Sequence, residues 1–435
     1  MGRPGPSRAG GAGAVSAAEE RGTGRAEEWV GPALAAVVER ISVTEAEVGA
    51  RFPLYAEPGT GRWTTTGRGS WTGGFWAGLL WLRARTTGGE AHRRAAAACT
   101  ARLAPWVGAD TATRGLIFWY GTALAGDDTA AAALRAGAAR ACLAARDPGL
   151  GLVPWGDALG GPRMLARVDG VPGMVPLLAG AGPGGAVAAA AHLHRHLDLC
   201  LEGGDPAGDP PRELPGGATG KPAARPLPPP VWRFDGESGW LPCEDPPAGW
   251  SRGRAWLLLA VADALLLPEV VRALPPTTAA AHGRTGPAGG AAPAGAPDPS
   301  GGPGGTERLR GLVERLLVDG ELAGGPLVPA ADVGRAAGPC DTSAAAITAV
   351  ALLKLTRVLP GPRAAECSDR ARAILRRLVD AHLSGPGRAR PAGMLLDGCY
   401  DAGKGLAVRH ELVWGDFFLA LALAALAGAV DLTRV

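Results

Sequence analysis

The sequence predicts an all-α protein, and three observations support this fold class. Apolar residues recur with the period of an amphipathic helix in segments of roughly 10–20 residues. Alternation of Val, Ile and aromatic residues with a period of two is almost absent, so we do not expect a large sheet. Apolar residues make up 47% of the 435 positions, which is enough for a sizeable core.

About a dozen helices are predicted, joined by loops rich in Gly, Pro and Trp. In chain order they span residues 28–50, 73–88, 91–107, 112–126, 128–146, 172–182, 184–202, 251–268, 307–319, 341–358, 364–384 and 413–429. Helical hairpins in this number can pack as two concentric rings, an (α/α) barrel. Periodicity alone equally allows a helical solenoid, but no sharp repeat of about 34–45 residues is visible, which favours the barrel.

Three segments rich in Gly and Pro lack an apolar period. Residues 1–27 are predicted to be a disordered N-terminal tail. Residues 203–230 and 275–307 have no pattern that would bury a core, and we expect them to be low-complexity loops.

Composition argues against several classes of partner. The net charge is +3 with mixed signs along the chain, so no basic stripe indicates nucleic acid. The N-terminus lacks the apolar core of a signal peptide. The longest apolar run, Phe417–Val430, is too short to span a bilayer, so no membrane partner is expected. Seven dispersed cysteines without a Cys-x-x-Cys pair indicate reduced thiols and a cytoplasmic protein.

No motif indicates a metal or a cofactor. In "HLHRHLDLC", His192 and His196 share a helical face, but two nitrogen ligands without a third make a poor zinc site. We therefore expect His192, His194 and His196 to belong to a solvated helix. The glycines at 301–305 are not followed by the Gly-Lys-Ser/Thr of a phosphate loop.

Tryptophans at the starts of helices are candidates for sugar contacts. In "GSWTGGFWAGLLWLRA", Trp71 precedes the helix and is expected in a pocket, whereas Trp76 and Trp81 lie within it and are expected in the core. Trp155 stands on a loop bounded by proline in "GLVPWGD". It either caps the core or faces a ligand.

The segment "WSRGRAW" combines a cation with an aromatic ring. Arg252 and Trp256 are four residues apart, so they share one face of a helix. A guanidinium offers a planar fork to a carboxylate, and an indole offers a flat face to a sugar ring. The alternative is a structural salt bridge of Arg252 above a core tryptophan.

A single carboxylate, Asp169, stands in "RVDGVPGMVPLL", between a cation and a turn that leads into an apolar helix. It is either a surface acid at a helix start or a catalytic acid at the mouth of a pocket.

Taken in order, six segments resemble the unsaturated glucuronyl hydrolases, glycoside hydrolase family 88. They are "SWTGGFWAGLLWL", "VPW", "RVDGVPGMVPLL", "WSRGRAW", "DTSAAAITAVALLKL" and "WGDFFLALAL", and the likeness covers roughly residues 28–435. The resemblance implies an (α/α)6 barrel with its site at one end. Because similar segments lie on both sides of 203–230 and 275–307, these two become insertions in a single domain, 28–435.

The resemblance also implies a reaction and a substrate. The substrate is an oligosaccharide left by a polysaccharide lyase, with a C4=C5 double bond in its terminal uronic acid. In such enzymes the residue matched by Asp169 is the general acid/base that protonates C4 while water adds at C5. Arg252 would hold the uronate carboxylate, and Trp71, Trp155 and Trp256 would stack on or enclose the sugar.

One departure from the family concerns the stretch "DTATRGLIFWYG". The family carries a His-Asp-x-Gly-Phe element here, and its Asp matters for activity. With Gly115 aligned on the family's glycine, Thr113 takes the place of that Asp and Ala112 that of the His. Thr113 and Gly115 are therefore expected at the substrate, and Asp110 is a possible substitute acid.

Two alternatives to the hydrolase remain open. One is an inactive carbohydrate-binding barrel, which Thr113 favours and Asp169 disfavours. The other is a sugar epimerase or isomerase on a similar barrel, which usually needs two pocket histidines; the candidates are His382 and His410.

Overall fold

The computed structural model describes residues 1–2, 27–203, 228–274, 304–318, 322–335, 337–387 and 389–435. The predicted N-terminal tail and most of the two predicted insertions lie outside these ranges, so those assignments stay predictions.

Most of the described chain is helical. Thirteen helices lie within it: α1 (Val30–Val48), α2 (Gly73–Thr87), α3 (Glu90–Ala101), α4 (Tyr120–Thr122), α5 (Thr129–Ala144), α6 (Met174–Ala179), α7 (Gly185–Leu197), α8 (Ser251–Leu265), α9 (Pro268–Ala273), α10 (Gly304–Val318), α11 (Thr342–Leu355), α12 (Gly361–His382) and α13 (Val413–Leu426). Each predicted segment contains helical structure.

Several predicted segments differ from a simple α-helix. Segment 91–107 ends in a 3-10 turn, Ala104–Trp106, and segment 184–202 ends in a π-helical turn, Asp198–Glu202. Segment 251–268 contains α8 and the start of α9, because Pro268 lacks the N–H needed to continue α8 and is well placed in the first turn of a new helix. Segment 112–126 contains a π-helical turn, Gly115–Trp119, followed by the single turn α4.

The helices divide into two groups by burial. Helix α8 buries 14 of its 15 residues and α13 buries 12 of its 14, as expected for helices that are apolar on every side. Helix α12 buries one stripe of its 22 residues, which is typical of an outer amphipathic helix. That stripe consists of Cys367, Ala371, Ile374, Leu375 and Leu378.

The buried group forms a closed series of contacts. It comprises α2, α4 with the π-helical turn before it, α6, α8, α11 and α13. Each packs against the next along the chain, and α13 packs against α2. Helices α1, α3, α5, α7, α10 and α12 each pack against a member of this group.

Seven short strands within the described ranges correct the expectation of a wholly α-helical protein. They are β1 (Phe52–Ala56), β2 (Trp63–Thr66), β3 (Leu165–Arg167), β4 (Val231–Asp235), β5 (Gly239–Pro242), β6 (Gly398–Asp401) and β7 (Leu406–Leu412). They form antiparallel sheets ordered β2-β1-β7-β6 and β3-β4-β5. Strands of three to seven residues are too short for period-two alternation to stand out.

The sheets lie close in the chain to the starts of buried helices. Strand β7 ends at Leu412 and α13 begins at the next residue, while β3 ends at Arg167 just before the turn that leads into α6. The sheets therefore brace the loops that enter the buried helices, which is where the candidate site lies.

None of the helices in the described ranges combines the length and apolar character that crossing a membrane requires.

Candidate active site

A pocket of about 680 Å³ opens at the N-terminal ends of the buried helices. Six of the seven predicted site residues line it: Trp71, Thr113, Trp155, Asp169, Arg252 and Trp256. They come from the loops and first turns that start four different buried helical segments, so residues far apart in sequence meet in one cleft.

Gly115 is not among the lining residues and has a packing role. A Cβ atom at this position would stand 2.3 Å from the backbone nitrogen of Met174. Only glycine lets the π-helical turn approach the start of α6 this closely. Gly115 therefore brings two backbone segments together and does not contact the pocket.

Asp169 lies in a 3-10 turn, Val168–Gly170, between β3 and α6. Gly173, which has a φ of 69°, turns the chain into α6 in the left-handed region. The Asp169 side chain is 18% exposed and faces a fork from Arg167. The two N–O distances are 3.1 Å from Arg167 Nε to Oδ1 and 3.3 Å from Nη2 to Oδ2.

The loop tryptophan Trp155 is half-buried on the pocket wall. The guanidinium of Arg167 lies 4.6 Å from its ring centroid, a cation–π arrangement. Trp155 therefore supports the cation that binds Asp169, and Arg167 is a pocket residue that the sequence interpretation passed over. Its signal in the sequence was a cation two residues before the candidate acid.

Arg252 is bound mainly to the protein itself. Its side chain is 3% exposed and pairs with the fully buried Asp341 at 2.5 Å. Nη1 also donates to the carbonyl of Cys399, and Nη2 donates to the carbonyl of Tyr400. These bonds tie the first turn of α8 to the N-cap of α11 and to β6. Arg252 is therefore a structural salt-bridge residue, and its guanidinium is not open to a substrate carboxylate.

Trp256 belongs to the core at the base of the pocket. It is 1% exposed and packs against Phe75 and Phe418 with centroid distances of 6.4 and 5.5 Å. At this exposure a sugar has almost no ring surface to stack on. Of the two predicted roles, stacking on the sugar or enclosing it, only the second fits the place of Trp256 among the lining residues. Trp76 and Trp81, at 2% exposure each, are core residues as predicted.

The accessible aromatic walls are half-buried side chains from loops before helices and from strand β6. Trp71 donates its indole N–H to Tyr400 Oη at 3.1 Å, and Trp250 stands 5.0 Å from the guanidinium of Arg252. Trp250 and Tyr400 line the pocket with Trp71 and Trp155. Trp250 was missed although, like Trp71, it directly precedes a buried helix.

Thr113 brings a hydroxyl and no charge to the pocket. It is buried, and its Oγ1 lies 2.9 Å from Thr111 Oγ1. Asp110, the possible substitute, pairs with Arg163 at 2.7 Å and does not line the pocket. A shifted loop that would bring Asp110 to the position of Thr113 is therefore not present.

The histidines of α7 are not a solvated face as expected. His192 and His196 are buried, at 0% and 1% exposure. The backbone N–H of Val153 donates to His192 Nδ1 at 3.1 Å, so Nε2 carries the proton and donates to the carbonyl of Gly170 at 3.2 Å. Burial, followed by the neighbouring His196, lowers the pKa of His192 well below its ordinary value, so the ring is neutral.

Charges at the rim of the pocket are mostly acidic. Its described lining includes four rim carboxylates and two cations: Glu244, Asp245, Asp332, Asp401, Arg335 and Lys404. Hydrogen bonds from Lys404 to Asp401 and Asp245 raise the pKa of the amine to about 12. The ammonium group of Lys404 is therefore already paired with Asp245 and Asp401.

A larger cavity of about 920 Å³ lies near the C-terminal ends of buried helices, lined by residues such as Leu124, Ala179 and Leu267. Its described lining includes neither Asp169 nor Trp71, Trp155 or Trp250. We therefore place the candidate site in the smaller pocket, where an acid, a cation and aromatic walls converge.

No protein-family model and no curated protein matches the sequence. Solved structures nevertheless share the fold. The unsaturated glucuronyl hydrolase from Bacillus sp. GL1, responsible for the degradation of glycosaminoglycan, is 19% identical, with a TM-score of 0.66 over 92% of this chain and 96% of its own. An unsaturated glucuronyl hydrolase specific for heparin is 18% identical, with a TM-score of 0.68 over 93% and 99%. At such identities the likeness establishes the fold alone.

Among similar structures, some contain an oligosaccharide. A UGL variant with dGlcA-Glc-Rha-Glc is 20% identical, with a TM-score of 0.68 over 92% of this chain and 96% of its own. A variant of the Streptococcus agalactiae enzyme complexed with dGlcA-GalNAc6S is 15% identical, with a TM-score of 0.57 over 92% of each chain.

Proposed function

We propose that the protein is a glycoside hydrolase of the unsaturated uronyl hydrolase type. It releases the terminal unsaturated uronic acid from oligosaccharides produced by polysaccharide lyases. The observation that carries the proposal is the position of Asp169, an acid on the wall of an aromatic pocket at the helix starts, in a fold shared with such hydrolases.

In the proposed reaction Asp169 serves as both acid and base. Its carboxylic acid donates a proton to C4 of the substrate, which leaves positive charge at C5. The oxygen of a water molecule then forms a bond to C5. The carboxylate accepts a proton from that water, which restores the acid and leaves a hemiketal at C5. The hemiketal opens and the sugar departs, so one water is consumed and no second carboxylate is needed.

The pocket walls suit an oligosaccharide. Trp71, Trp250 and Tyr400 present half-buried aromatic surface, on which a pyranose ring can pack while its hydroxyl groups remain hydrated. Thr113 adds a neutral hydroxyl that can donate a hydrogen bond to substrate.

The proposal includes the architecture and location. The closed series of contacts among buried helices, with an outer helix against each, supports an (α/α)6 barrel formed by residues 28–435. None of the seven cysteines, all within the described ranges, forms a disulfide, which supports a reducing compartment such as the cytoplasm.

One observation favours a second candidate, an inactive carbohydrate-binding barrel. Thr113 stands where the resembling enzymes have an acid, so binding without turnover is the outcome if Asp169 alone does not suffice. An epimerase finds less support, because neither His382 nor His410 is among the described residues that line the pocket.

Turnover is tested with a panel of lyase-generated disaccharides, following the loss of absorbance from the C4=C5 bond. We expect the parent protein to consume at least one member and Asp169→Asn to reduce turnover by ~10² or more, the usual scale for a positioned acid or base. Asp127→Asn is the control, because Asp127 is exposed, pairs with Arg93 and is not among the residues that line the pocket. Full activity in Asp169→Asn removes this residue from the reaction, and sugar binding without turnover establishes the second candidate.

A further inference from the structure

Three arginines belong to the described lining of the pocket. Arg335 is 80% exposed at the rim, where it pairs with Asp332, whereas Arg167 and Arg252 are more buried and are bound to different partners. The guanidinium of Arg252 is 3% exposed, pairs with buried Asp341 and donates to carbonyls of β6. The side chain of Arg167 is 24% exposed, and its ion pair is with Asp169. Of the two, Arg167 is the one that a substrate anion can reach.

The ion pair of Arg167 has the geometry of carboxylate recognition. Its Nε and Nη2 face the two oxygens of Asp169 at 3.1 and 3.3 Å, which is a side-on fork. A uronate presents the same planar pair of oxygens. It can therefore replace Asp169 on the fork, and the number of ion pairs stays the same.

Trp155 holds this fork in place. Its ring lies 4.6 Å from the guanidinium, and both residues belong to the pocket wall. Because stacking on an aromatic face fixes the plane of a guanidinium, the fork keeps its orientation when its anion is exchanged. Exposed Arg335 and Lys404 have no such support and pair with rim acids.

We propose that Arg167 binds the substrate's uronate carboxylate and that this carboxylate displaces Asp169 from the guanidinium. The proposal rests on the proposed function of the pocket. Once displaced, Asp169 stands beside a second carboxylate, and two neighbouring carboxylates favour a proton on one of them. Asp169 takes that proton from solvent, so substrate binding itself produces the acid form that protonates C4.

The experiment compares an unsaturated glucuronyl disaccharide with its uncharged methyl ester. The parent is expected to prefer the acid, measured as the ratio of kcat/KM for acid over ester. Arg167→Gln is expected to reduce this ratio by about tenfold to 10²-fold, the value of a lost charge-assisted hydrogen bond. Arg167→Lys should fall in between, because it keeps the charge and loses the fork.

Two further variants serve as references. Arg163→Gln is the matched control, since Arg163 also pairs with an aspartate, Asp110, but neither residue is among those that line the pocket. Its ratio should not change. Arg252→Lys should lower Tm and reduce activity on acid and ester alike, because Arg252 holds α8 to β6.

Equal losses on acid and ester in Arg167→Gln, or loss of the acid preference in Arg252→Lys alone, would overturn the proposal. Both outcomes leave the hydrolase function standing. If the parent converts neither substrate, the function fails, and titration calorimetry replaces kinetics. Tighter binding of the acid that disappears in Arg167→Gln then supports the role of Arg167, and binding indifferent to that change contradicts it.

Discussion

At the residue scale, the pocket contains one acid held by Arg167 and a threonine where an acid is expected from the resemblance. Thr113 is buried and bonded to Thr111, so its hydroxyl is well ordered but carries no charge. Asp110 is engaged by Arg163 outside the pocket. The structure thus separates two explanations that the sequence left open, an acid supplied from a shifted loop and an acid that is missing.

The missing acid leads to a prediction about both positions. Asp110→Asn should leave kcat/KM unchanged, because that carboxylate does not line the pocket. Thr113→Asp should raise kcat on unsaturated glucuronides by about tenfold, a small part of what a positioned acid or base can contribute. It should also lower Tm, because the new carboxylate is buried. Loss of activity in Asp110→Asn, with no gain in Thr113→Asp, would mean that the loop moves when substrate binds.

Sequence reasoning located most pocket positions and misassigned several roles. Trp71 was found because it precedes a helix whose later tryptophans are core. The stacking role expected of Trp256 rested on its sharing a face with Arg252. That pattern is informative only on a half-exposed helix, and α8 buries 14 of its 15 residues. The partner of Arg252, Asp341, is 89 residues away in sequence, so no local pattern could reveal that ion pair.

At the element scale, α7 braces the two loops that form one side of the pocket. His192 accepts from Val153, two residues before Trp155, and donates to Gly170, next to Asp169. The sequence indicated a polar helix because three histidines and an arginine appear within five residues. Packing against α6 and α9 buries two of those histidines instead.

His192 is therefore expected to be a positioning residue. Its hydrogen bond with Val153 and its hydrogen bond with Gly170 can be removed separately by substitution. His192→Asn keeps an acceptor near Nδ1, whereas His192→Gln keeps a donor near Nε2. We expect His192→Leu to lower kcat by about tenfold, the effect of a small displacement of catalytic groups. His192→Gln should restore most of that loss, because it retains the bond beside Asp169.

Hydrogen exchange reports on the bond from the Val153 amide to His192 Nδ1 independently of activity. The Val153 amide should exchange faster in His192→Gln than in His192→Asn. His196→Leu is the control, since His196 is equally buried but its Nδ1 lies 2.8 Å from the carbonyl of His192 in its own helix. If His192→Leu and His196→Leu lower Tm and kcat to the same extent, and His192→Gln rescues neither, His192 only fills space.

At the scale of the whole molecule, the alternation of two helix types was readable from sequence and the strands were not. A single apolar stripe, as in α12, predicts an outer helix. Apolar residues on every side, as in α8 and α13, predict a buried helix. Some strands depend on partners far away in the sequence: Tyr55 of β1 pairs with Leu412 of β7. Such pairing follows from the closed packing of the helices and leaves little trace in a segment of five residues.

The distribution of charge over the same end of the molecule predicts a substrate preference. The described rim has four carboxylates and two cations, and both cations lie within 4 Å of rim acids. A sulfated sugar next to the uronate would therefore enter a region of net negative charge. We expect unsulfated disaccharides to have a higher kcat/KM than sulfated ones, and the difference to shrink as salt screens the rim.

Removing one negative charge from the rim should weaken the preference for unsulfated substrates. Glu244→Gln should raise kcat/KM for a sulfated disaccharide by about threefold, the effect of one unit charge several ångströms away in water. The unsulfated substrate should respond less, because it carries no charge at that position. Glu90→Gln is the matched control, since Glu90 lies on outer helix α3. A parent that prefers sulfated substrates at low salt would contradict the prediction.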